Sequence, residues 1–137
     1  MNRGFTLLEL LVVLVILGML ATVAGVTYFS RVETARLQKV EADFGTLASA
    51  LSLYRLDNGT LPTTAQGLAA LHERSRLPPQ PRRFKSGGYI AEVPLDPWGN
   101  AYLYLFPARS SDNEYDLYTQ GADGEPGGEG QDADIYK

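Results

Sequence analysis

No cysteine occurs in the 137 residues, and histidine occurs once, at His72. The first absence excludes a disulfide framework, a thiolate metal site and a thiol nucleophile. The second excludes multi-histidine metal centres, and a Ser/His/Asp triad would have to converge on His72, with no Ser-rich elbow or phosphate loop beside it. An enzyme is therefore the less favoured class, with His72 read as a surface residue. Clustered Lys and Arg on the scale that phosphate binding needs are missing too, and the net charge of −4 argues against nucleic acid as a partner. The last shortage is local: from Leu10 to Ser30 there is no charged side chain.

With 45% hydrophobic and 20% charged residues, the chain suits one small domain plus an appendage rather than disorder. The appendage is the uncharged run. A helix of about 21 residues rises roughly 32 Å, enough for a bilayer core of about 30 Å. Ahead of it, Met1-Asn2-Arg3-Gly4 carries one basic side chain, which by the positive-inside rule keeps the leader cytoplasmic and sends the rest outward. Glu9 stands at the start of this apolar segment, where an acid costs about 2.5 to 3.5 kcal/mol at a membrane helix centre and less toward its edge. An ordinary secretory signal, cut in the small-residue stretch Ala21 to Gly25, would release a soluble domain and leave Glu9 without a role. A cut between Gly4 and Phe5 instead creates an α-amino group four residues before Glu9. That amine is a partner for the acid within the chain or on a neighbouring copy, and a buried carboxylate is tolerable when paired.

Beyond Arg31 the residues Leu37, Val40, Phe44, Leu47, Leu51 and Tyr54 recur at helical spacing on one face, while Arg36, Lys39, Glu41 and Asp43 fall largely elsewhere. Asn58-Gly59 supplies the stop. The pattern predicts one helix from Phe5 to about Asp57, apolar in its first half and amphipathic in its second, with the stripe packed on the chain's own globular part. Thr63 to Gln66 fits a capping box, followed by a short helical turn over Leu68 to Leu71. Leu77 to Ser86, with three prolines and the basic run Arg82-Arg83-Phe84-Lys85, reads as a loop. Its charges are either solvated surface or a docking patch for an acidic neighbour. Tyr89-Ile90, Ala101 to Phe106 and Tyr115 to Thr119 read as three short strands, giving an α+β domain. Asp96-Pro97-Trp98-Gly99-Asn100 reads as a turn whose Trp98 covers the core.

The segment from Gly121 to Asp134 holds five carboxylates, five glycines and no cation. Left alone it should repel itself and stay mobile, whereas a hard cation such as Ca²⁺ would gather its oxygens, with glycine letting the loop wrap closely. Composition leaves both readings open. The acids do not fall at EF-hand positions, and one unit of a Gly-rich calcium repeat is not a stack.

Two sets of residues resemble a known family. Gly4-Phe5-Thr6-Leu7-Leu8-Glu9 resembles the class III signal of type IV pilins and type II secretion pseudopilins. Asp96-Pro97-Trp98-Gly99-Asn100, with Leu56-Asp57-Asn58, Leu61-Pro62-Thr63-Thr64, Gln66-Gly67-Leu68 and Gly88-Tyr89, resembles the G-type major pseudopilins, and the likeness runs from Gly4 to Ile135. Type IV pilins, the alternative, usually bear a carboxy-terminal disulfide that this chain cannot form. The resemblance implies a pilin-like fold, with a long helix packed on a small three-stranded antiparallel sheet and a C-terminal calcium loop. It implies a leader over residues 1–4, an apolar membrane and assembly helix over 5–30, and a periplasmic globular domain over 31–137. It further implies cleavage after Gly4 by a prepilin peptidase, methylation of Phe5, and pairing of Glu9 with the amine of an adjacent subunit. Assembly would occur from the inner membrane with minor pseudopilins and the secretion platform, into a helical filament that drives export of folded proteins across the outer membrane. Ca²⁺ would be held by Asp123, by Asp132 or Asp134, and by the main-chain oxygen of Gln120.

Overall fold

The computed structural model describes residues 6–137, with the side chains of all of these except 23–30. The leader residues 1–4 and Phe5 lie outside the described residues. The chain divides into two units, one ending at Arg36 and one spanning Leu37–Lys137. Helix α1 (Leu7–Asn58) is followed by the short α2 (Ala69–His72), then by β1 (Leu103–Leu105), β2 (Asp116–Thr119), a single 3₁₀ turn at Gly130–Asp132, and β3 (Ile135–Tyr136). The strands form one antiparallel sheet in the order β1-β2-β3, with Tyr104 opposite Leu117 and Thr119 opposite Ile135.

Helix α1 stops where the sequence places the stop. Gly59 takes φ +78°, in the left-handed region that only glycine enters freely, and its N–H donates to the Arg55 carbonyl at 2.7 Å. Buried Asn58 closes the end by donating to the Tyr54 carbonyl at 3.0 Å. The predicted stripe forms the core: Val40, Phe44, Leu47, Leu51 and Tyr54 are buried together with Leu61, Leu68, Leu71, Tyr102, Tyr104 and Leu117. Leu37 departs from the stripe and is 48% exposed, one turn before the core begins. The Thr63–Gln66 capping box forms reciprocally, Thr63 N–H donating to Gln66 Oε1 at 2.9 Å and Gln66 N–H to Thr63 Oγ1 at 3.2 Å.

Three strands are expected and three are found, but one of them is a different segment. Tyr89 and Ile90 are not a strand. Their N–H groups donate to the Leu71 carbonyl at 2.7 and 3.3 Å, so this segment docks on the end of α2 instead of a ladder. Gly88 permits that approach: a Cβ there would meet the His72 carbonyl oxygen at 2.5 Å. The third strand is Ile135–Tyr136, too short to show an alternation, and the Tyr136 ring stacks on Tyr118 with centroids 4.8 Å apart.

Buried Asp116 holds the loop between β1 and β2. Its carboxylate accepts from Arg109 N–H at 2.7 Å, Ser110 N–H at 2.8 Å and the Ser111 hydroxyl at 2.6 Å. Burial alone would raise this carboxyl, but those donors hold it below its ordinary value of 3.8. A depressed carboxyl contributes stability that is present above its unfolded pKa and is lost as pH falls through the folded one. Wild-type stability should therefore decline below about pH 4, and Asp116→Asn should flatten that decline while costing about 1 to 3 kcal/mol near neutrality. Urea midpoints measured across pH 2 to 7 check this, and parallel profiles for the two proteins would refute it.

Candidate functional site

Two places carry the residues singled out by the sequence: the start of α1 and the acidic loop. At the helix start, Gly4 and Phe5, the expected cleavage pair, lie outside the described residues. Glu9 is described, and it makes contacts that the sequence reading missed. Thr6 N–H and the Thr6 hydroxyl both donate to Glu9 Oε2 at 2.9 Å, and Glu9 N–H donates to Thr6 Oγ1 at 3.3 Å. This is a capping box, Thr6-x-x-Glu9, that satisfies the first donors of α1. Its signal was available in the sequence as a Thr followed three residues later by Glu, ahead of an apolar run.

From Leu7 to Leu20 every large apolar side chain of α1 is between 45% and 82% exposed. An apolar surface on all sides of a helix marks burial against lipid or other protein chains. Among the described residues, no helix is long and apolar enough to cross a membrane. The fully described apolar stretch, Leu10 to Thr22, would rise only about 20 Å.

The acidic loop leaves β2 at Gln120 and returns at β3. Its two ends are drawn together: Ala122 N–H donates to the Gln131 carbonyl at 2.9 Å, and Asp134 N–H to the Gly127 carbonyl at 3.1 Å. Two glycines make the closure possible. Gly121, at φ +65°, would place a Cβ 2.6 Å from the Gln131 carbonyl oxygen, and a Cβ at Gly128, at φ +83°, would run into the Asp132 carbonyl. Thus the turn carrying Asp123 and the 3₁₀ turn carrying Asp132 are brought side by side. The carboxylates themselves are not gathered: among the described residues, no group of three or more Asp, Glu, His or Cys side chains is placed to hold a metal. Asp123 Oδ1 accepts from Glu125 N–H at 3.1 Å. Asp134 differs from the other acids in that its Oδ1 is buried without a hydrogen-bond partner. A buried, unpaired carboxylate oxygen in a loop of oxygen donors fits a hard cation, since the alternative is an uncompensated desolvation cost.

The loop is supported by a residue cluster to which the sequence reading assigned only a turn. Asp96, buried, accepts from Trp98 N–H at 2.9 Å and Asn100 N–H at 2.8 Å through Oδ1, and from the Thr119 hydroxyl at 2.5 Å through Oδ2. Asn100 Nδ2 then donates to the Gly121 carbonyl at 2.9 Å. The turn chemistry of Asp and Asn is readable locally. Its link to Thr119 and Gly121 is not, because those partners are more than twenty residues away.

A long helix with an exposed apolar start, carrying a head made of a small antiparallel sheet and an acidic loop, is the architecture of pilin-like filament subunits. The model of the type II secretion system (T2SS) protein G family matches residues 27–137, and that of the prokaryotic N-terminal methylation motif matches residues 1–25. Over 134 residues the chain is 48% identical to the type II secretion system core protein G of Vibrio cholerae, covering 98% of this chain and 90% of that one. It is 45% identical to the core protein G of Pseudomonas aeruginosa, with 98% and 93% covered. In structure it is similar to the major pseudopilin from the type 2 secretion system of enterohaemorrhagic Escherichia coli. There the TM-score is 0.66 and the identity 44%, over 75% of this chain and 86% of that one. The chain belongs to the type II secretion system protein G family, and it is a structural pseudopilin.

Proposed function

We propose that this pseudopilin is a self-assembling subunit held first in the inner membrane by residues 5–30, with its head in the periplasm. A prepilin peptidase cuts between Gly4 and Phe5, the new Phe5 amine is methylated, and copies stack with minor pseudopilins on the inner-membrane platform. The resulting helical filament drives export of folded proteins across the outer membrane. The observation that carries this reading is the exposed apolar surface of Leu7 to Leu20 with a single acid, Glu9, within it. In a filament those surfaces would bury one another and the acid would meet a neighbour's amine. The test is to shear filaments from cells producing the full chain with its secretion apparatus and to determine the mature amino terminus by mass spectrometry. Methylated Phe5 in sheared polymer is the expected result. A chain beginning near Gly25, or one that never sediments as polymer, would sink the reading.

We also propose Ca²⁺ as the loop's resident ion, which would take carboxylate oxygens from Asp123 and from Asp132 or Asp134, and the main-chain oxygen of Gln120. Bound there, it supplies positive charge that offsets the mutual repulsion of five carboxylates. Asp134, with its buried unpaired oxygen, is the better candidate of the last two. An ion that binds only the folded chain at a hundredfold excess over its dissociation constant adds about 2.7 kcal/mol. Saturating Ca²⁺ should therefore raise the thermal midpoint of the full chain in detergent relative to chelator, and Asp134→Ala should abolish most of that rise. Superimposable melts with ion and with chelator would remove Ca²⁺ from the account.

A further inference from the structure

Two surfaces of opposite sign stand on the Leu37–Lys137 unit, and the fold anchors them at different levels of α1. The basic surface is the loop between α2 and Tyr89, where Arg74, Arg76, Arg82, Arg83 and Lys85 are all exposed. Its backbone is tied to the C-terminal end of α1. Asn58 Oδ1 accepts from Arg83 N–H at 2.9 Å, the Tyr89 hydroxyl donates to Asp57 Oδ2 at 2.9 Å, and buried Gln66 donates to the Leu77 and Pro79 carbonyls at 2.9 and 2.8 Å. The backbone is therefore held while Arg76, Arg82, Arg83 and Lys85 stand exposed, and Arg74 Nη2 donates to the Pro81 carbonyl at 3.1 Å within the loop. The ion pairs Lys39–Asp43 and Arg55–Glu114 involve none of these five cations.

The acidic loop is anchored nearer the other end of this part of the helix. Its entry is held by Asn100, whose turn follows Leu95; the Leu95 carbonyl accepts from Lys39 Nζ at 2.6 Å, and Tyr102 next to the turn donates to Asp43 Oδ2 at 2.7 Å. Its exit, Ile135 to Lys137, lines a groove with Leu37, Val40 and Phe44. From Asp43 to Asp57 the helix rises about 21 Å at 1.5 Å per residue. Glu125 and Glu129 are exposed in the acidic loop and outside the proposed ligand set, so the ion does not occupy their carboxylates.

We propose that the acidic loop of one copy of this chain seats on the basic loop of the next copy along the filament. Copies whose α1 helices all run the same way, as in the proposed filament, cannot pair these two patches across a two-fold axis, because that axis would set the helices antiparallel. They form a head-to-tail contact, which repeats into an open helical polymer when its rotation does not close a ring. Opposite charge also sets the register, because copies slipped to the same level bring like charges together. The basic run thus takes its acidic neighbour from its own kind. This inference rests on the reading of the chain as a filament subunit.

The test uses charge reversal in the full chain produced with its secretion apparatus. Arg82→Glu with Arg83→Glu, and separately Glu125→Arg with Glu129→Arg, should each lower sheared filament about tenfold or more, the effect of roughly 1.4 kcal/mol at the contact. All four reversals in one chain should restore filaments, and so should co-production of the two reversed chains, which complement each other. Thermal melts in detergent establish that each variant is folded. Wild-type filament yield from both reversals would overturn the pairing while leaving the filament reading intact. Loss in both with no restoration in the combined variants, at unchanged melting temperature, would overturn it as well. Absence of filaments from the wild-type chain would overturn the filament reading and the pairing with it. Since the chain has no cysteine, Arg83→Cys with Glu129→Cys provides an independent readout: oxidation should yield a ladder of multimers, and monomer alone would refute the contact.

Discussion

Leu51→Ala should destabilise the head by about 2 to 5 kcal/mol, a large share of the 5 to 15 kcal/mol that a small domain has in total. Leu51 is 0% exposed and sits in the middle of the α1 face, between Leu47, also 0% exposed, and Tyr54 at 2%. Around it lie Leu61, Leu71, Tyr104 and Leu117, contributed by the segment after α1, by α2 and by the first two strands. Because each of these elements is short, none can close over a cavity without losing its own seat on the helix. The side-chain loss therefore adds to an unrelaxed void, which is the condition for the upper part of that range. Urea unfolding of the full chain in detergent reads the effect through the tyrosine and tryptophan signals of the head. Leu56→Ala, on the same helix but 79% exposed, serves as the control and should change stability by under about 0.5 kcal/mol. Equal losses at the two positions would contradict the packing described here.

Replacing Glu9 should abolish filament assembly while leaving the head folded. The capping contacts at the start of α1 make the choice of replacement informative. Glutamine can still accept from Thr6 N–H and the Thr6 hydroxyl, so Glu9→Gln keeps the helix cap and loses only the charge. Leucine loses both. If the carboxylate acts through an ammonium partner on another copy, both variants fail to assemble. If it acts only as a cap, Glu9→Gln assembles and Glu9→Leu is impaired, by about 1 kcal/mol at the helix end. Sheared-filament yield with head melting temperature as control separates the two. Filaments from Glu9→Gln at wild-type yield would defeat the charge-pairing role outright.

The body and the end of α1 were readable because their cues are local along the chain: an uncharged run, a stripe at three- and four-residue spacing, and Asn58-Gly59 after it, whereas the start falls at Leu7, two residues beyond the expected Phe5, behind the Thr6 cap. The capping box at Thr63 and Gln66 was readable for the same reason. Tyr89-Ile90 misled because two apolar residues after paired glycines satisfy a strand pattern, while their donors in fact go to Leu71. β3 was invisible because two residues carry no period. At the candidate site, the acids and glycines of the loop were evident from composition. The buried supports Asp96 and Asp116 were not, since an isolated Asp in a polar segment looks the same whether it is solvated or accepts three hydrogen bonds.

The amino-acid sequence alone determined the long helix with its apolar start and embedded acid, the stop at Asn58-Gly59, and a glycine-rich loop with five carboxylates. All of these are properties of residues close together along the chain. Only the tertiary structure decided which segment completes the sheet, which carboxylates bracket the loops, and at which level of α1 each charged loop is anchored. Those outcomes depend on contacts such as Asp96 with Thr119 and Asp43 with Tyr102, which span 23 and 59 residues. Contacts of that range form only once the core on Leu47 and Leu51 has offset the entropy of bringing the segments together.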